Sequence, residues 1–160
     1  MKTITRSKIY IPMAAMILTA AVAALAAGQQ LVPFKGTFQG QDAVNANVIT
    51  TTATGVGTHV GRLSLTDVVT ITPSGNNGTG HWTAANGDSI YSTFVASAVF
   101  GDVVVTITEI HTITGGTGRF AGAQGTFKLE RLHVRAPSAD GTHVTFGSFE
   151  GNITAPGTVN

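Results

Sequence analysis

The feature that most limits the fold is a two-residue alternation of side chains that begins at Leu31 and continues almost to the end of the chain. Thr, Val, Ile and Phe recur in short runs, and Gly, Asn and Asp separate one run from the next. Because no stretch keeps apolar side chains at a 3.6-residue spacing over three helical turns, the pattern predicts β-strands. The predicted strands are 33–39, 44–53, 62–72, 79–85, 88–99, 102–114, 124–135 and 142–154.

Short turns between these runs predict that the strands are antiparallel. Asn77-Gly78 and Asn86-Gly87 favour tight hairpin turns because both residue types tolerate a positive φ. Gly101-Asp102 and Asp140-Gly141 are expected to form turns between later strands. About eight strands without a helix favour closure of the sheet into a barrel, since closure removes exposed edge strands. A two-sheet sandwich is the structural alternative.

The first 27 residues have the order of a secretory signal peptide. Basic residues without an acid occupy 1–8, an apolar run follows at 9–25, and Ala24-Leu25-Ala26 has the small-residue form that a signal peptidase accepts. A retained membrane helix is the alternative, although a run of 17 residues, interrupted by Tyr10, Pro12 and Thr19, is at the short edge of what spans a bilayer. We therefore expect cleavage near Ala26-Ala27, a secreted or periplasmic protein with no membrane attachment, and one barrel domain over 28–160.

Charge and composition exclude several functions for the domain beyond the leader. Six of the nine Lys and Arg residues and all eight acids lie there, which gives a net charge of −2. That balance disfavours binding to nucleic acid or to an anionic membrane. The absence of cysteine excludes a disulfide framework, a thiol nucleophile and a Cys-ligated metal. No two of the five histidines have the spacing of a zinc motif, so no metal site is predicted unless the fold brings separate segments together.

A glycine-rich segment at 115–121 resembles a dinucleotide-binding loop only superficially. Such a loop opens a helix within a βαβ unit, whereas here the chain continues as a strand through Phe127, Leu129 and Leu132. About 40 residues remain after it, too few for a doubly wound sheet. The glycines are therefore predicted to form a tight corner between two long strands.

This corner also carries a family resemblance. Ile113-Thr114-Gly115-Gly116-Thr117-Gly118-Arg119-Phe120-Ala121-Gly122-Ala123-Gln124-Gly125-Thr126-Phe127 resembles the signature of the allene oxide cyclase and dirigent-like β-barrels. The resemblance implies an eight-stranded antiparallel, calycin-like barrel with a cavity, no cofactor, and a homodimer or homotrimer. Cyclases of that group guide ring closure of a fatty-acid epoxide, and dirigent proteins steer the coupling of phenolic radicals. Gln124 stands where plant cyclases tend to have Tyr, so cyclase activity is not carried over.

Ionisable residues on apolar strand faces are the places to expect a site, because a charge inside a small barrel must be paired or functional. Glu109 and His111 share a face with Val105, Ile107 and Ile113. Asp67 lies among aliphatic residues of 62–72, and Glu150 follows Val144 and Phe146 in alternation. Arg131 and Arg135 share a face with Phe127 and Leu129. The candidate ligand-binding residues are Asp67, Tyr91, Glu109, His111, Arg131 and Glu150.

Three functions fit this pattern. The first is binding of a small apolar or amphipathic molecule, without established catalysis. The second is a non-catalytic structural or assembly module in which the buried polar groups satisfy one another. The third is a cofactor-free cyclase or isomerase that transfers a proton through Glu109 and His111 to a reactive lipid or phenolic substrate.

Overall fold

A computed structural model describes residues 30–157, so the predicted leader at 1–27 lies outside the described residues. Eight antiparallel strands form a closed barrel in chain order, and the last strand pairs with the first. The barrel confirms the predicted all-β class and the closed sheet. The strands are β1 (Leu31–Asn45), β2 (Val48–Gly57), β3 (Gly61–Thr72), β4 (Gly75–Ala84), β5 (Ser89–Phe100), β6 (Val104–Gly116), β7 (Gly125–Val134) and β8 (His143–Thr154).

The pairing of β1 with β8 closes the sheet. Its register runs from Leu31 opposite Thr154 to Asp42 opposite His143. The other edge of β1 pairs with β2, so both edges of the first strand carry ladder hydrogen bonds. Between residues 30 and 157, no helix has the length and apolar character needed to cross a membrane.

The two ends of the barrel differ in what fills them. The turns at 46–47, 73–74 and 101–103 and the loop at 135–142 surround one end, which we call the open end. The connections at 58–60, 85–88 and 117–124 surround the opposite end, which we call the plugged end. Aliphatic and aromatic side chains pack there into a continuous core that includes Phe34, Leu65, Trp82, Phe120, Phe127, Phe149 and Ile153.

Phe34 lies at the centre of this core. Its ring centroid is 4.8 Å from that of Phe149, 5.2 Å from that of Phe127 and 6.2 Å from that of Trp82. Tilted and edge-to-face contacts of this kind stabilise aromatic clusters beyond the area that they bury. The plugged end is therefore the part of the barrel that supplies most of the hydrophobic stabilisation.

The glycine-rich corner is part of the plug. After β6 the chain makes a short 3₁₀ turn, Gly118–Phe120, and then enters β7, so the predicted corner is present and no α-helix follows the glycines. Gly118 has a φ of +56°, and a Cβ there would collide with the carboxylate of Asp88. Only glycine suits both conditions. The turn places Phe120, which is almost fully buried, over the end of the core.

Two local predictions are wrong. Asn77-Gly78 is not a turn but lies within β4, opposite Thr70 and Val69. Gly78 is needed for packing instead, because a Cβ on it would collide with the Phe94 ring. The turn instead falls at 73–74. The first strand does not stop at 39 but continues to Asn45, because its polar end pairs with both β2 and β8.

Removing a phenylalanine should lower the free energy of unfolding much more at the plugged end than at the open end. We expect Phe34→Ala to lower the free energy of unfolding by about 3–5 kcal/mol, because it leaves a cavity in the aromatic core. Phe100→Ala at the open end, where the ring is 76% exposed, should change it by no more than about 0.5 kcal/mol. Urea unfolding curves of both variants measure the difference. Equal costs would contradict the placement of the core.

Candidate functional site

Four of the six candidate residues meet inside the barrel. Asp67 of β3, Glu109 and His111 of β6 and Arg131 of β7 are all buried and lie between the aromatic core and the open end. The alternation in the sequence therefore placed these four side chains on the correct face. Their grouping follows from the register, in which Glu109 lies opposite Leu129 and His111 opposite Phe127 on the neighbouring strand.

Further polar residues join them that the sequence analysis did not select. Asp42 and Thr145 are fully buried, and Thr51 and His133 are nearly so. We call the whole group the interior polar cluster; it consists of Asp42, Thr51, Asp67, Ser92, Glu109, His111, Arg131, His133 and Thr145. Asp42 was missed because it lies beyond the predicted end of its strand, at residue 39.

Arg131 connects the cluster across four strands. Its Nε donates to Glu109 Oε1 at 3.0 Å, and its Nη1 donates to Asp42 Oδ2 at 2.6 Å and to Thr145 Oγ1 at 3.1 Å. Burial disfavours the charged form of Arg131, but the carboxylates of Glu109 and Asp42 outweigh it and raise the pKa of the guanidinium. Arg131 is therefore a permanent cation within the barrel.

Asp42 is the second junction of the cluster. Its Oδ1 accepts a hydrogen bond from Thr51 Oγ1 at 2.6 Å. Its Oδ2 accepts from His133 Nδ1 at 2.6 Å, in addition to the bond from Arg131. The His133 ring also stacks on that of His143, with centroids 4.6 Å apart. The carboxylate is therefore fully satisfied by its neighbours, as a buried charge requires.

His111 is held on both faces and at both nitrogens. Its ring stacks between Phe94 and Phe127, with centroid separations of 4.5 and 4.4 Å. Burial lowers the pKa of His111, and the hydrogen bond to Glu109 opposes that change only in part. The neutral ring then donates from Nε2 to Glu109 Oε2 at 3.2 Å and accepts from Ser92 Oγ at Nδ1, 2.9 Å away.

Asp67 is the unsatisfied member of the cluster. Within residues 30–157, its Oδ1 and the Nε1 of Trp82 are the buried side-chain polar atoms that lack a hydrogen-bond partner. Both face the backbone of Gly80: a Cβ there would lie 2.6 Å from Asp67 Oδ1, 2.6 Å from Ser92 Oγ and 2.9 Å from Trp82 Nε1. Burial, followed by the charge of Glu109, raises the pKa of Asp67 well above its usual range.

The structure corrects the placement of Tyr91, Glu150 and Arg135. Tyr91 points out of the barrel and stacks on His81, with ring centroids 5.0 Å apart. Glu150 is exposed, because the inner face of β8 is formed by the odd-numbered residues. Arg135 follows the end of β7 and donates to the carbonyl oxygen of Gly101 on the surface. None of the three contributes to the interior polar cluster.

A small cavity connects the cluster to the open end. It has a volume of about 40 Å³, and Glu109 and Arg131 form its floor. Its walls are mainly apolar and include Ile49, Val69, Ile71, Ala96, Ala98 and Ile107. A larger depression of about 600 Å³ lies on the outer wall over β1 to β4, beside Gln39, Val56 and Arg62. It is shallow and holds no part of the cluster, so the open end is the better candidate site.

Comparison with known proteins identifies the fold. No family model matches the chain, and no curated protein matches it. Among solved structures, that of a pterocarpan synthase dirigent protein matches with a TM-score of 0.52 and 11% sequence identity, over 82% of this chain and 89% of the other. The chain therefore has the dirigent-like eight-stranded barrel that its glycine-rich corner predicted.

Replacing Arg131 should lower the free energy of unfolding far more than replacing a surface arginine. We expect Arg131→Met to destabilise the barrel by about 3–5 kcal/mol, because it leaves Asp42 and Glu109 as uncompensated buried charges. Arg119→Met removes a partly exposed pair with Asp88 and should cost less than about 1 kcal/mol. Thermal and urea unfolding of the two variants would check the ranking, which similar losses would refute.

The raised pKa of Asp67 predicts that Asp67→Asn increases the free energy of unfolding by an amount that depends on pH. Above the unfolded-state pKa the unfolded chain ionises Asp67 while the folded chain keeps it protonated, so the wild type loses stability as pH rises toward the folded pKa. The Asn variant does not have this loss. Its advantage should therefore be absent below about pH 4 and grow toward neutrality by up to about 1.4 kcal/mol per pH unit.

Unfolding free energies of both proteins between pH 3.5 and 7.5 measure this difference. Glu150→Gln is the matched control, because it neutralises an exposed carboxylate and should follow the wild type at every pH. A constant difference between Asp67→Asn and the wild type would show that burial leaves the Asp67 carboxyl unaffected.

Proposed function

We propose that the barrel binds a small amphipathic molecule at its open end, with a polar tip on the Glu109–Arg131 pair and an apolar body against the mouth. The observation that carries the proposal is the cavity itself, in which apolar walls lead down to a buried ion pair. A few convergent polar groups in an otherwise apolar pocket are the usual design of a small-molecule site.

The size of the cavity determines how a ligand would lie. Ordinary ligand pockets have volumes of about 300–1,000 Å³, so a cavity of about 40 Å³ admits only a small polar tip of a ligand. The body of the ligand would then rest on the exposed apolar side chains around the mouth. Ile71 lines the cavity, and the exposed Phe100 lies at the tip of the β5–β6 hairpin, which supplies Ala96, Ala98 and Ile107 to the walls.

The charge of the cluster favours a hydroxyl tip over a carboxylate. Three buried carboxyl groups share one guanidinium, and Glu109 is at the floor of the cavity. A ligand carboxylate would meet like charge there and lose its hydration. A hydroxyl can instead donate to Glu109 and accept from Arg131. The name of the structural neighbour, a pterocarpan synthase, also supports a small organic ligand for this fold.

The proposal predicts that 2-naphthol binds and that 2-naphthoate, which has the same rings with a carboxylate, binds at least about tenfold more weakly at pH 7. Fluorescence titration and calorimetry would measure both. Ala98→Trp should block the mouth and weaken naphthol binding about tenfold or more. Ala85→Trp, which alters the outer-wall depression, is the matched control and should leave it unchanged.

Each outcome of this experiment has a defined meaning. Absence of saturable naphthol binding, or preference for naphthoate, would contradict a hydroxyl-binding mouth. Loss of binding in Ala85→Trp with retention in Ala98→Trp would move the site to the outer wall.

A structural or assembly role is the second candidate, and the filled interior favours it. The aromatic core occupies the plugged end, and the open-end cavity is small. Val95 and Ile110 are direct cross-strand neighbours on the outer wall, and both are about half exposed, as a subunit contact would require. A stable oligomer without naphthol binding would support this role over the first.

Other expectations stay predictions. A cyclase or isomerase acting through Glu109 and His111 would need its substrate to reach a pair that is almost completely buried. Export through a leader at 1–27, location in the periplasm or outside the cell, and assembly into a dimer or trimer are proposals that rest on the sequence and on the family resemblance.

A further inference from the structure

Three side chains of the interior polar cluster converge in a way that ligand binding at the mouth does not require. One ligand atom each from Asp67, Glu109 and His111 lie within 4.8 Å of one another, and all three residues are buried. Carboxylate oxygens and an imidazole nitrogen are common ligands of divalent transition metals. Asp67 lies in β3 and the other two residues lie in β6, more than 40 positions later, so no local sequence motif indicates the site.

The distances suit coordination. Ligand atoms at about 2.0–2.2 Å from a tetrahedral or octahedral ion lie about 3.0–3.5 Å from each other. His111 Nε2 and Glu109 Oε2 are already 3.2 Å apart. Asp67 would have to rotate closer to the other two, and its Oδ1 makes no hydrogen bond of standard geometry, although the Trp82 indole N–H is near enough to favour its charged form. Gly80 keeps this position free of a side chain, because a Cβ there would lie 2.6 Å from both Asp67 Oδ1 and Ser92 Oγ.

The surrounding hydrogen bonds would hold the ligands in place. Ser92 Oγ is 2.9 Å from His111 Nδ1, the position from which an outer partner orients a metal-bound imidazole. Arg131 holds the other oxygen of Glu109, which leaves Oε2 directed at His111. The stacked Phe94 and Phe127 rings prevent the imidazole from turning away.

The charge of the cluster is complementary to a divalent ion. Asp42, Asp67 and Glu109 bring three carboxyl groups and Arg131 brings one permanent cation. The raised pKa of Asp67 means that its carboxyl holds a proton in the metal-free protein, and this proton would be released to solvent when the ion binds. With His111 neutral and all three carboxylates then ionised, a dication would bring the cluster to neutrality. The cation would enter at the open end, since Glu109 lines the cavity there.

We propose that Asp67, Glu109 and His111 form a binding site for a divalent first-row transition metal, for which Zn²⁺ is the test ion. Ion binding would change the His111 tautomer: Nε2 would lose its proton to coordinate the metal, and Nδ1 would carry one and donate to Ser92 Oγ. The site shares Glu109 with the proposed ligand site at the mouth, but metal binding is measured without naphthol and naphthol binding without metal, so either proposal can fail without the other.

The first test is titration of the purified, metal-stripped protein with Zn²⁺, followed by calorimetry and by the melting temperature. The wild type should bind one equivalent and melt at a higher temperature with Zn²⁺ than with EDTA. Asp67→Asn should fold, because it removes an unsatisfied buried carboxyl, but its affinity should fall about tenfold or more. Glu150→Gln is the matched control for adventitious binding to surface acids and should retain wild-type affinity.

The second test needs no variant. Long-range ¹H–¹⁵N spectra of the wild type should show the Nε2-protonated form of His111 in EDTA and the Nδ1-protonated form with one equivalent of Zn²⁺. Equal Zn²⁺ affinity in the wild type and Asp67→Asn, or an unchanged His111 tautomer at saturation, would overturn the site. Binding that is lost in Glu150→Gln would indicate an adventitious surface ion only and would overturn it too.

Discussion

The interior of this barrel depends on the guanidinium of Arg131. It bonds to Asp42 of β1, Glu109 of β6 and Thr145 of β8, so one side chain of β7 ties together four strands at the level where the aromatic core ends. Buried ion pairs of this kind seldom stabilise a fold more than apolar side chains of similar size would. Their presence therefore points to a polar function for this part of the barrel, which is why the open end is the site that we favour.

The plugged end compensates energetically for such a polar interior. Phe34, Trp82, Phe127 and Phe149 fill one half of the barrel with rings in mutual contact. Glycines are needed for this filling as much as aromatic residues, since a Cβ on Gly36 or Gly57 would lie 2.6 or 2.7 Å from the tip of the Phe149 ring. The stability supplied by this half allows the other half to retain carboxylates, histidines and an unsatisfied Asp67.

Sequence alternation predicted the face of a strand well where the inner side chains are large and failed where they are glycine. In β6 the inner residues are Val105, Ile107, Glu109 and His111, and the predicted face is correct. In β8 the inner face contains Gly147 and Gly151, while Val144 and Phe146 are exposed on the outside, so the apolar pattern selected the wrong face and Glu150 with it. Tyr91 was misplaced for a related reason, because an aromatic residue stacked on the outer wall carries the same sequence signal as one in the core.

The sequence by itself determined the all-β class, the antiparallel order, the glycine-rich corner and the buried position of Asp67, Glu109, His111 and Arg131. These properties follow from local preferences, namely a two-residue period and turn-forming residues. Only the tertiary structure decided that Asp42 and His133 join Arg131, that Asp67 approaches Glu109 and His111, and that the cavity is narrow. Each of these depends on the registers between strands and on closure of β8 onto β1, which bring together residues as distant in sequence as Asp42 and His133, 91 positions apart, and leave no trace in any local pattern.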